Sequence, residues 1–157
     1  MSLVLARVDD RLIHGQVVVG WGKTFGIRYI VLVDDKVRAS EWEQDLYRMG
    51  VPPDVDVIFA STAEAGQHLA EWQADRRPGI LLTADVQTMA ALAANGGAIR
   101  RVNVGGVHHR PGRSERLRYV YLTDDEAAVL RGIAARGVEV TAQDVPTAPP
   151  VPVGEFT

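Results

Sequence analysis

Near its N-terminus the chain reads Leu3-Val4-Leu5-Ala6-Arg7-Val8-Asp9-Asp10-Arg11-Leu12-Ile13-His14-Gly15-Gln16. An apolar run passes directly into a loop that holds two carboxylates, a guanidinium and an imidazole. An apolar run of this kind is typical of a strand in a parallel sheet that is covered on both faces. Packing does not explain so many reactive groups within a few residues, and we therefore expect a functional site in this loop.

Similar apolar runs recur along the chain and alternate with helical patterns. We expect strands at Leu3–Val8, Tyr29–Val33, Val55–Ala60, Ile80–Leu82, Val102–Val104, Tyr119–Leu122 and Val138–Ala142. Helix start signals lie between them, at Ser40, Ser61, Asp85 and Thr123. This order predicts a single α/β domain: an open, mainly parallel sheet of about six or seven strands with helices on both faces.

Two of the expected helices carry informative patterns. The helix after His14 contains Gly20 and Gly22, each of which costs about 1 kcal/mol relative to alanine in a helix interior. Either packing overrides this cost or the helix is short and irregular. We expect the former, through an apolar face made of Val17, Val18, Trp21 and Phe25. In another helix an apolar face is indicated by the helical spacing of Trp42, Leu46 and Met49.

The C-terminal end differs in composition from the rest. The stretch 145–157 holds four prolines and little pattern, which indicates an extended or disordered end. We therefore assign residues 1–146 to the domain and residues 147–157 to a proline-rich tail.

The bulk composition excludes several classes of protein. A net charge of −3 offers no basic face for nucleic acid, and the absence of cysteine excludes disulfide and thiol chemistry. No apolar run approaches the roughly 20 residues that span a bilayer, so we expect no direct membrane insertion. The sequence also lacks the glycine-rich dinucleotide motif, the Walker lysine loop and the serine-hydrolase elbow, and we expect no cofactor.

Ligands of open α/β sheets bind outside the carboxyl ends of the strands. This rule gathers five polar segments at one edge of the expected sheet. They are the loop of His14, the pair Asp34-Asp35, Ser61, the segment 83–85 and the long loop 105–115. Residues far apart in sequence are thereby predicted to share one crevice.

The loop of His14 suits phosphoryl chemistry. A neutral imidazole is a good nitrogen nucleophile, and the helix that follows offers free amides to an anion. Gly15 allows close backbone approach, Arg11 offers a planar fork for phosphate oxygens, and Asp10 is placed to hold the tautomer of His14. The same three residues also have structural interpretations. These are a structural histidine, a solvated arginine and a helix-capping aspartate.

A second polar segment follows the expected strand Val102–Val104. Gly105 and Gly106 permit close backbone approach, and Arg110 and Arg113 add charge matched to a phosphate. The pair His108-His109 invites a zinc site with His14, although its spacing is not typical of one. A metal-dependent hydrolase would use His14, His108, Asp34 and Asp35, but acid pairs at strand ends more often cap turns, and we expect no metal.

These motifs resemble a known family. The stretch from Arg7 to Val17 is similar to the active-site signature of the IIB component of the mannose/fructose/sorbose class of the bacterial phosphotransferase system. The blocks Val102–Gly106, with Arg110, Gly112 and Arg113, and Ala135–Val140 match as well. The similarity runs from about the first residue to Pro146. His109 stands where the family often has an aromatic residue.

The resemblance implies a cytoplasmic phosphocarrier without cofactor, associated peripherally with the inner membrane. His14 would accept a phosphoryl group on Nδ1 from the phosphohistidine of a IIA partner and pass it to a sugar brought by membrane IIC and IID components. Arg11 would contact the phosphoryl oxygens, Asp10 would orient the loop, and His14 would face solvent. Further contacts to the phosphoryl group are expected from Gly15, Gly105, Gly106, Arg110 and Arg113. The alternative is a regulatory module that senses phosphorylation and transfers to no sugar.

Overall fold

The computed structural model describes residues 2–157 and contains one seven-stranded sheet. The sheet strands are β1 (Leu3–Val8), β2 (Tyr29–Val33), β3 (Asp56–Ala60), β4 (Gly79–Thr83), β5 (Arg101–Val104), β8 (Glu139–Ala142) and β9 (Val151–Pro152). A separate antiparallel hairpin is formed by β6 (Ser114–Leu117) and β7 (Val120–Leu122). The predicted α/β fold with a mainly parallel sheet is confirmed.

The strand order, β3-β2-β4-β1-β5-β8-β9, places β1 in the interior of the sheet. All neighbours are parallel except β8 and β9, which are antiparallel. The last residue of β1, Val8, is in register with Thr83 of β4 and Val104 of β5. The loops that follow these three strands therefore leave the sheet side by side.

Helices cover both faces of the sheet. They are α1 (Gly22–Phe25), α2 (Asp35–Arg38), α3 (Glu41–Met49), α4 (Thr62–Ala74), α5 (Val86–Ala93) and α6 (Asp124–Ala135). Strand β2 is buried throughout, with Ile30 and Leu32 in one core and Val31 and Val33 in the other. This two-sided burial explains why its sequence is apolar at every position.

The predicted helix starts are confirmed, with one difference in detail. Ser61 and Thr123 each form a full capping box with the glutamate three residues later. Ser40 accepts a hydrogen bond from the backbone of Glu43, and Asp85 accepts one from Thr88. The reciprocal side-chain bond that completes a capping box is present at α4 and α6 and is not seen at α3.

The prediction of a regular helix after His14 is wrong. Residues Gln16–Trp21 form a π-helix, which continues into the single turn of α1. The backbone N–H of Gly22 bonds to the carbonyl of Val17, and a Cβ at Gly22 would lie 3.2 Å from the side chain of Ile27. The wider turn buries Val17 and Trp21 but leaves Phe25 partly exposed. The two glycines thus coincide with an irregular helix, and the expected apolar face is only partly buried.

The apolar face of α3 does not point to the core. Trp42, Leu46 and Met49 are 71%, 49% and 83% exposed. The helix instead buries Gln44, whose side-chain amide donates to the backbone carbonyls of Val37 and Arg38. The side chain of Gln44 thereby ties α3 to the end of α2.

The C-terminal stretch is ordered and packed, so the prediction of a disordered end is wrong and the extended alternative holds for β9. Val151 and Pro152 pair with β8 at the edge of the sheet, where a proline costs no ladder hydrogen bond. A short 3₁₀ turn, Val153–Glu155, follows, and Phe156 is buried. The run Tyr119–Leu122 also differs from expectation, since it belongs to the hairpin and not to the main sheet. Within residues 2–157 no helix is long and apolar enough to cross a bilayer.

Candidate functional site

The loop from Asp9 to Gly15 leaves the carboxyl end of β1 in a strained turn. The backbone N–H of Leu12 bonds to the carbonyl of Asp9 at 2.9 Å, and Leu12 has a φ of 58°. A leucine in the left-handed region is unfavourable, and it persists where the surroundings fix it. Leu12 and Ile13 are both buried in the core under the loop, which anchors the polar residues on either side of them.

His14 is held by one carboxylate. Its Nε2 lies 3.0 Å from Oδ2 of Asp9, whose side chain is fully buried, whereas the imidazole is 16% exposed. Burial alone would raise the pKa of Asp9, but the hydrogen bond with His14 and the charge of Arg7 outweigh it and lower the pKa. An ionised carboxylate only accepts hydrogen bonds, so this contact requires a proton on Nε2, and a neutral ring then has its lone pair on Nδ1. With this small exposed fraction, the ring of His14 faces solvent only in part, whereas the sequence predicts a solvent-facing ring.

Arg7 stands behind Asp9 and fixes it. Its Nη2 lies 3.3 Å from Oδ2 of Asp9, and its two terminal nitrogens also donate to Asn103 and to the carbonyls of Gln143 and Asp144. The guanidinium is fully buried with its carbon 5.0 Å from the ring centre of Trp21. Burial lowers the pKa of Arg7, with Asp9 opposing the shift, but an arginine stays charged in proteins.

The aspartate that orients His14 is Asp9 and not the predicted Asp10. Asp10 does not contact His14 but accepts two hydrogen bonds from His108, one from the backbone at 2.7 Å and one from Nδ1 at 2.6 Å. The reason is strand direction, because the side chain of Asp9 turns into the sheet beside Arg7 while that of Asp10 turns towards the neighbouring loop. Arg7 is itself detectable in the sequence, as the one charge within an otherwise apolar strand.

Arg11 is placed at the site and remains available. Its side chain is 44% exposed, its Nε lies 3.8 Å from Oδ1 of Asp9, and its Nη2 donates to Oε1 of Gln16 at 3.0 Å. A Cβ built on Gly106 would lie 3.8 Å from Nη2 of Arg11. The guanidinium therefore bridges the loop of His14 and the loop that follows β5.

Several backbone amides in the loop of His14 and in the loop after β5 are free. In the part of the chain that the structure describes, the N–H groups of residues 13–16 and of Gly106 donate no hydrogen bond. The next two amides, of Val17 and Val18, both donate to the carbonyl of His14. Free amides at the start of a helix favour an anion, and Gly15 contributes one of them.

Gly105 and Arg113 have structural tasks instead of the predicted phosphate contacts. The amide of Gly105 donates to the carbonyl of Val8, and a Cβ at Gly105 would overlap the guanidinium of Arg7. Arg113 forms a two-pronged ion pair with Glu126, at 2.9 and 2.7 Å, and both side chains are buried. The amide of Gly105 and the guanidinium of Arg113 are thus engaged with partners other than His14.

Within residues 2–157, Arg110 and the acid pair after β2 form no hydrogen bond or ion pair with His14. Arg110 is exposed and its guanidinium bonds to none of residues 2–157. Asp34 caps α2 through the amide of Val37, and Asp35 accepts from the amide of Thr62. Within residues 2–157 no three histidine, aspartate or glutamate side chains converge on one point, so the constellation of the hydrolase alternative is not assembled.

The arrangement suits transfer of an anionic group to and from a nitrogen. A free lone pair on Nδ1, a fixed proton on Nε2, an available guanidinium and unpaired amides occupy one edge of the sheet. His109 takes no part, because its ring packs edge-on against Tyr121, 5.8 Å between centres.

Comparisons with known proteins agree on one family. The model of the sorbose subfamily IIB component of the phosphotransferase system matches residues 3–157. The N-acetylgalactosamine-specific phosphotransferase enzyme IIB component 1 of Escherichia coli K12 is 35% identical over 147 residues, which is 92% of each chain. The mannose-specific EIIAB component of the same strain is 30% identical and covers 95% of this chain, which matches 46% of that longer protein.

A solved structure gives the same result. The IIBSor domain of the sorbose permease from Klebsiella pneumoniae superposes with a TM-score of 0.90 and 28% sequence identity. The match covers 99% of this chain and 96% of that one.

Proposed function

This chain belongs to the IIB family of the mannose/fructose/sorbose class of the bacterial phosphotransferase system, and we propose that it carries the phosphoryl group on Nδ1 of His14. The observation that supports this choice of atom is the contact between Asp9 and Nε2 at 3.0 Å. In a neutral ring this contact favours the proton on Nε2, which leaves the nucleophilic lone pair on Nδ1. The family as a whole consists of sugar phosphotransferase components.

The transfer consists of two displacements at phosphorus. The lone pair of Nδ1 attacks the phosphorus of a phosphohistidine on the IIA partner, a new N–P bond forms, and the donor nitrogen leaves with the electrons of the old bond. A sugar hydroxyl then attacks the same phosphorus and loses its proton to water. The bond to Nδ1 breaks and its electrons return to the ring, which restores neutral His14. Such transfers depend on in-line positioning and on charge compensation more than on covalent help.

Arg11 and the free amides supply the charge compensation. The guanidinium carries a permanent charge in a fork that matches phosphoryl oxygens, and it is exposed enough to turn towards an incoming group. The amides of residues 13–16 and of Gly106 add preorganised dipoles at no cost in reorganisation. Asp9 fixes the ring of His14 through Nε2, and Arg7 holds Asp9 in place.

The partners follow from the family and from the relatives. In the mannose-specific EIIAB component the matched region is part of a longer protein, whose name joins a IIA and a IIB function. We infer a phosphorylated IIA protein or domain as donor and membrane IIC and IID components as the site of sugar transfer. On the same grounds we infer that the chain works in the cytoplasm at the inner face of the membrane. The named relatives are sugar-specific components, which favours transport over a purely regulatory role.

The test is incubation with a phosphorylated IIA protein, followed by intact mass measurement under mildly alkaline conditions. The wild-type chain should gain the mass of one phosphoryl group, and His14→Ala should gain none. His68→Ala is the matched control, because His68 is an exposed helix residue paired with Glu71. A gain that persists in His14→Ala would remove His14 from the proposed role.

A further inference from the structure

The loop of His14 and the loop after β5 are joined by an unusual double contact between Asp10 and His108. Both carboxylate oxygens of Asp10 are used, Oδ2 by the backbone N–H of His108 at 2.7 Å and Oδ1 by Nδ1 at 2.6 Å. The backbone N–H of Asp10 returns a third bond, to the carbonyl of Gly106 at 2.9 Å. The imidazole is 62% exposed, so burial does not account for its fixed orientation.

His108 is also held from its far side. Nη1 of Arg113 donates to the carbonyl of His108 at 2.9 Å, and the rest of that guanidinium is locked onto Glu126. Glu126 belongs to the capping box of α6. A continuous set of contacts therefore connects the start of α6, through Arg113 and His108, to the loop of His14.

These contacts converge on Gly106. A Cβ built there would lie 3.6 Å from Cε1 of His108, 3.6 Å from Oδ1 of Asp9 and 3.8 Å from Nη2 of Arg11. The carboxylate that holds His14 and the guanidinium proposed to bind the phosphoryl group thus border the same point as the ring of His108. A shift of the loop after β5 would change the surroundings of both.

We propose that His108 is a positioning residue for phosphoryl transfer. It acts through Asp10 and keeps the free amide of Gly106 and the guanidinium of Arg11 in register with His14. This inference rests on the proposed phosphocarrier function. Misplacement of reacting groups by about 1 Å can cost a factor of about 10² in rate, so loss of a loop contact is expected to be visible kinetically.

The test measures single-turnover transfer from phosphorylated IIA at a series of donor concentrations. His108→Ala should lower the maximal rate by about tenfold and leave the half-saturating donor concentration within about twofold. His108→Asn should restore most of the rate, since its side-chain amide can donate to Asp10 from the place of Nδ1. His109→Ala is the matched control in the same loop and should behave as wild type.

A double-mutant cycle tests whether His108 acts through Asp10. Asp10→Asn removes the charge at nearly constant volume, and the double variant with His108→Ala should be no slower than the slower single variant. Melting temperatures within a few degrees of wild type show that each variant is folded. If His108→Ala does not fold, His108→Asn and Asp10→Asn remain informative, because Asp10→Asn alone should lower the maximal rate.

The outcomes separate the two proposals. A wild-type chain that takes no phosphoryl group from IIA would contradict the proposed function itself. A competent wild type with His108→Ala equally fast, His108→Asn as slow as His108→Ala, or effects of Asp10 and His108 that multiply would overturn the positioning role alone.

Discussion

The guanidinium of Arg7 occupies the space beside Gly105 in which the first side-chain carbon of any other residue would stand. Arg7 in turn holds the carboxylate that orients His14. The glycine after β5 is therefore part of the site's support, because it leaves room for Arg7. Its amide donates to the end of β1, which closes the two strands around the buried charge.

Gly105→Ala is predicted to destabilise the fold and disturb the site together. The added carbon forces Arg7 away from Asp9, and overpacking of this kind costs about 1–3 kcal/mol. Gly132→Ala is the matched control, since Gly132 lies in α6 with no atom within 4 Å of an added carbon. That variant should gain about 0.4–1 kcal/mol. Urea unfolding measures both, and equal stabilities would refute the packing argument.

Removal of the Arg11 side chain is predicted to lower phosphoryl transfer, whereas removal of the Arg113 side chain is predicted to lower stability. Arg11→Ala should leave the free energy of unfolding within about 0.5 kcal/mol, because the side chain is largely exposed. It should lower phosphoryl transfer from IIA by about 10². Arg113→Ala leaves the buried carboxylate of Glu126 without its ion-pair partner and should lower the free energy of unfolding by about 3 kcal/mol.

Denaturant unfolding and single-turnover transfer of the two arginine variants check these values. A large stability loss in Arg11→Ala, with transfer unchanged, would mean that Arg11 has a structural role.

Acid is predicted to destabilise the protein through Asp9 and Glu126. Burial raises the pKa of each, but the hydrogen bonds from His14 and Arg113 prevail, and both pKa values lie below their ordinary 3.8 and 4.5. Below these values the unfolded chain binds protons that the folded chain does not, so the free energy of unfolding falls until the folded carboxylates are protonated. Above them the two groups contribute no pH dependence.

Urea unfolding between about pH 7 and about pH 3 measures the acid effect. In Glu126→Gln the free energy of unfolding should fall less steeply as the pH is lowered, because one of the two carboxylates with a lowered pKa is gone. A decrease as steep as that of wild type would exclude Glu126 as a cause of the acid destabilisation.

An exposed and a buried leucine on two helices give a fourth prediction. Leu46 of α3 is about half exposed, whereas Leu69 of α4 is buried. Leu46→Gln should change the free energy of unfolding by no more than about 0.5 kcal/mol, whereas Leu69→Ala should cost about 2–5 kcal/mol. Comparable losses in urea unfolding would show that the outer face of α3 is covered in solution.

Sequence patterns predict the central sheet well, because burial on both faces leaves β2 apolar throughout, β1 apolar except for Arg7, and β4 apolar except for Thr83. They predict α3 poorly, since periodicity shows that Trp42, Leu46 and Met49 share a face but not which way that face points. The C-terminal strand is missed because its prolines read as disorder, and an edge position that tolerates proline depends on tertiary structure.

The candidate site shows the same division. The loop of His14 is found from its density of reactive groups and from its family signature. The choice between Asp9 and Asp10 depends on the direction in which the chain leaves β1, and local sequence does not encode it. The engagement of Arg113 with Glu126 is a contact across 13 residues that no spacing pattern indicates.

The most direct test of the account is nitrogen NMR of the chain after phosphorylation by IIA, with the histidine ring nitrogens labelled. We predict that phosphorus is bonded to Nδ1 of His14 and that Nε2 carries the proton donated to Asp9. A phosphoryl group on Nε2, or on any other histidine, would contradict the central claim.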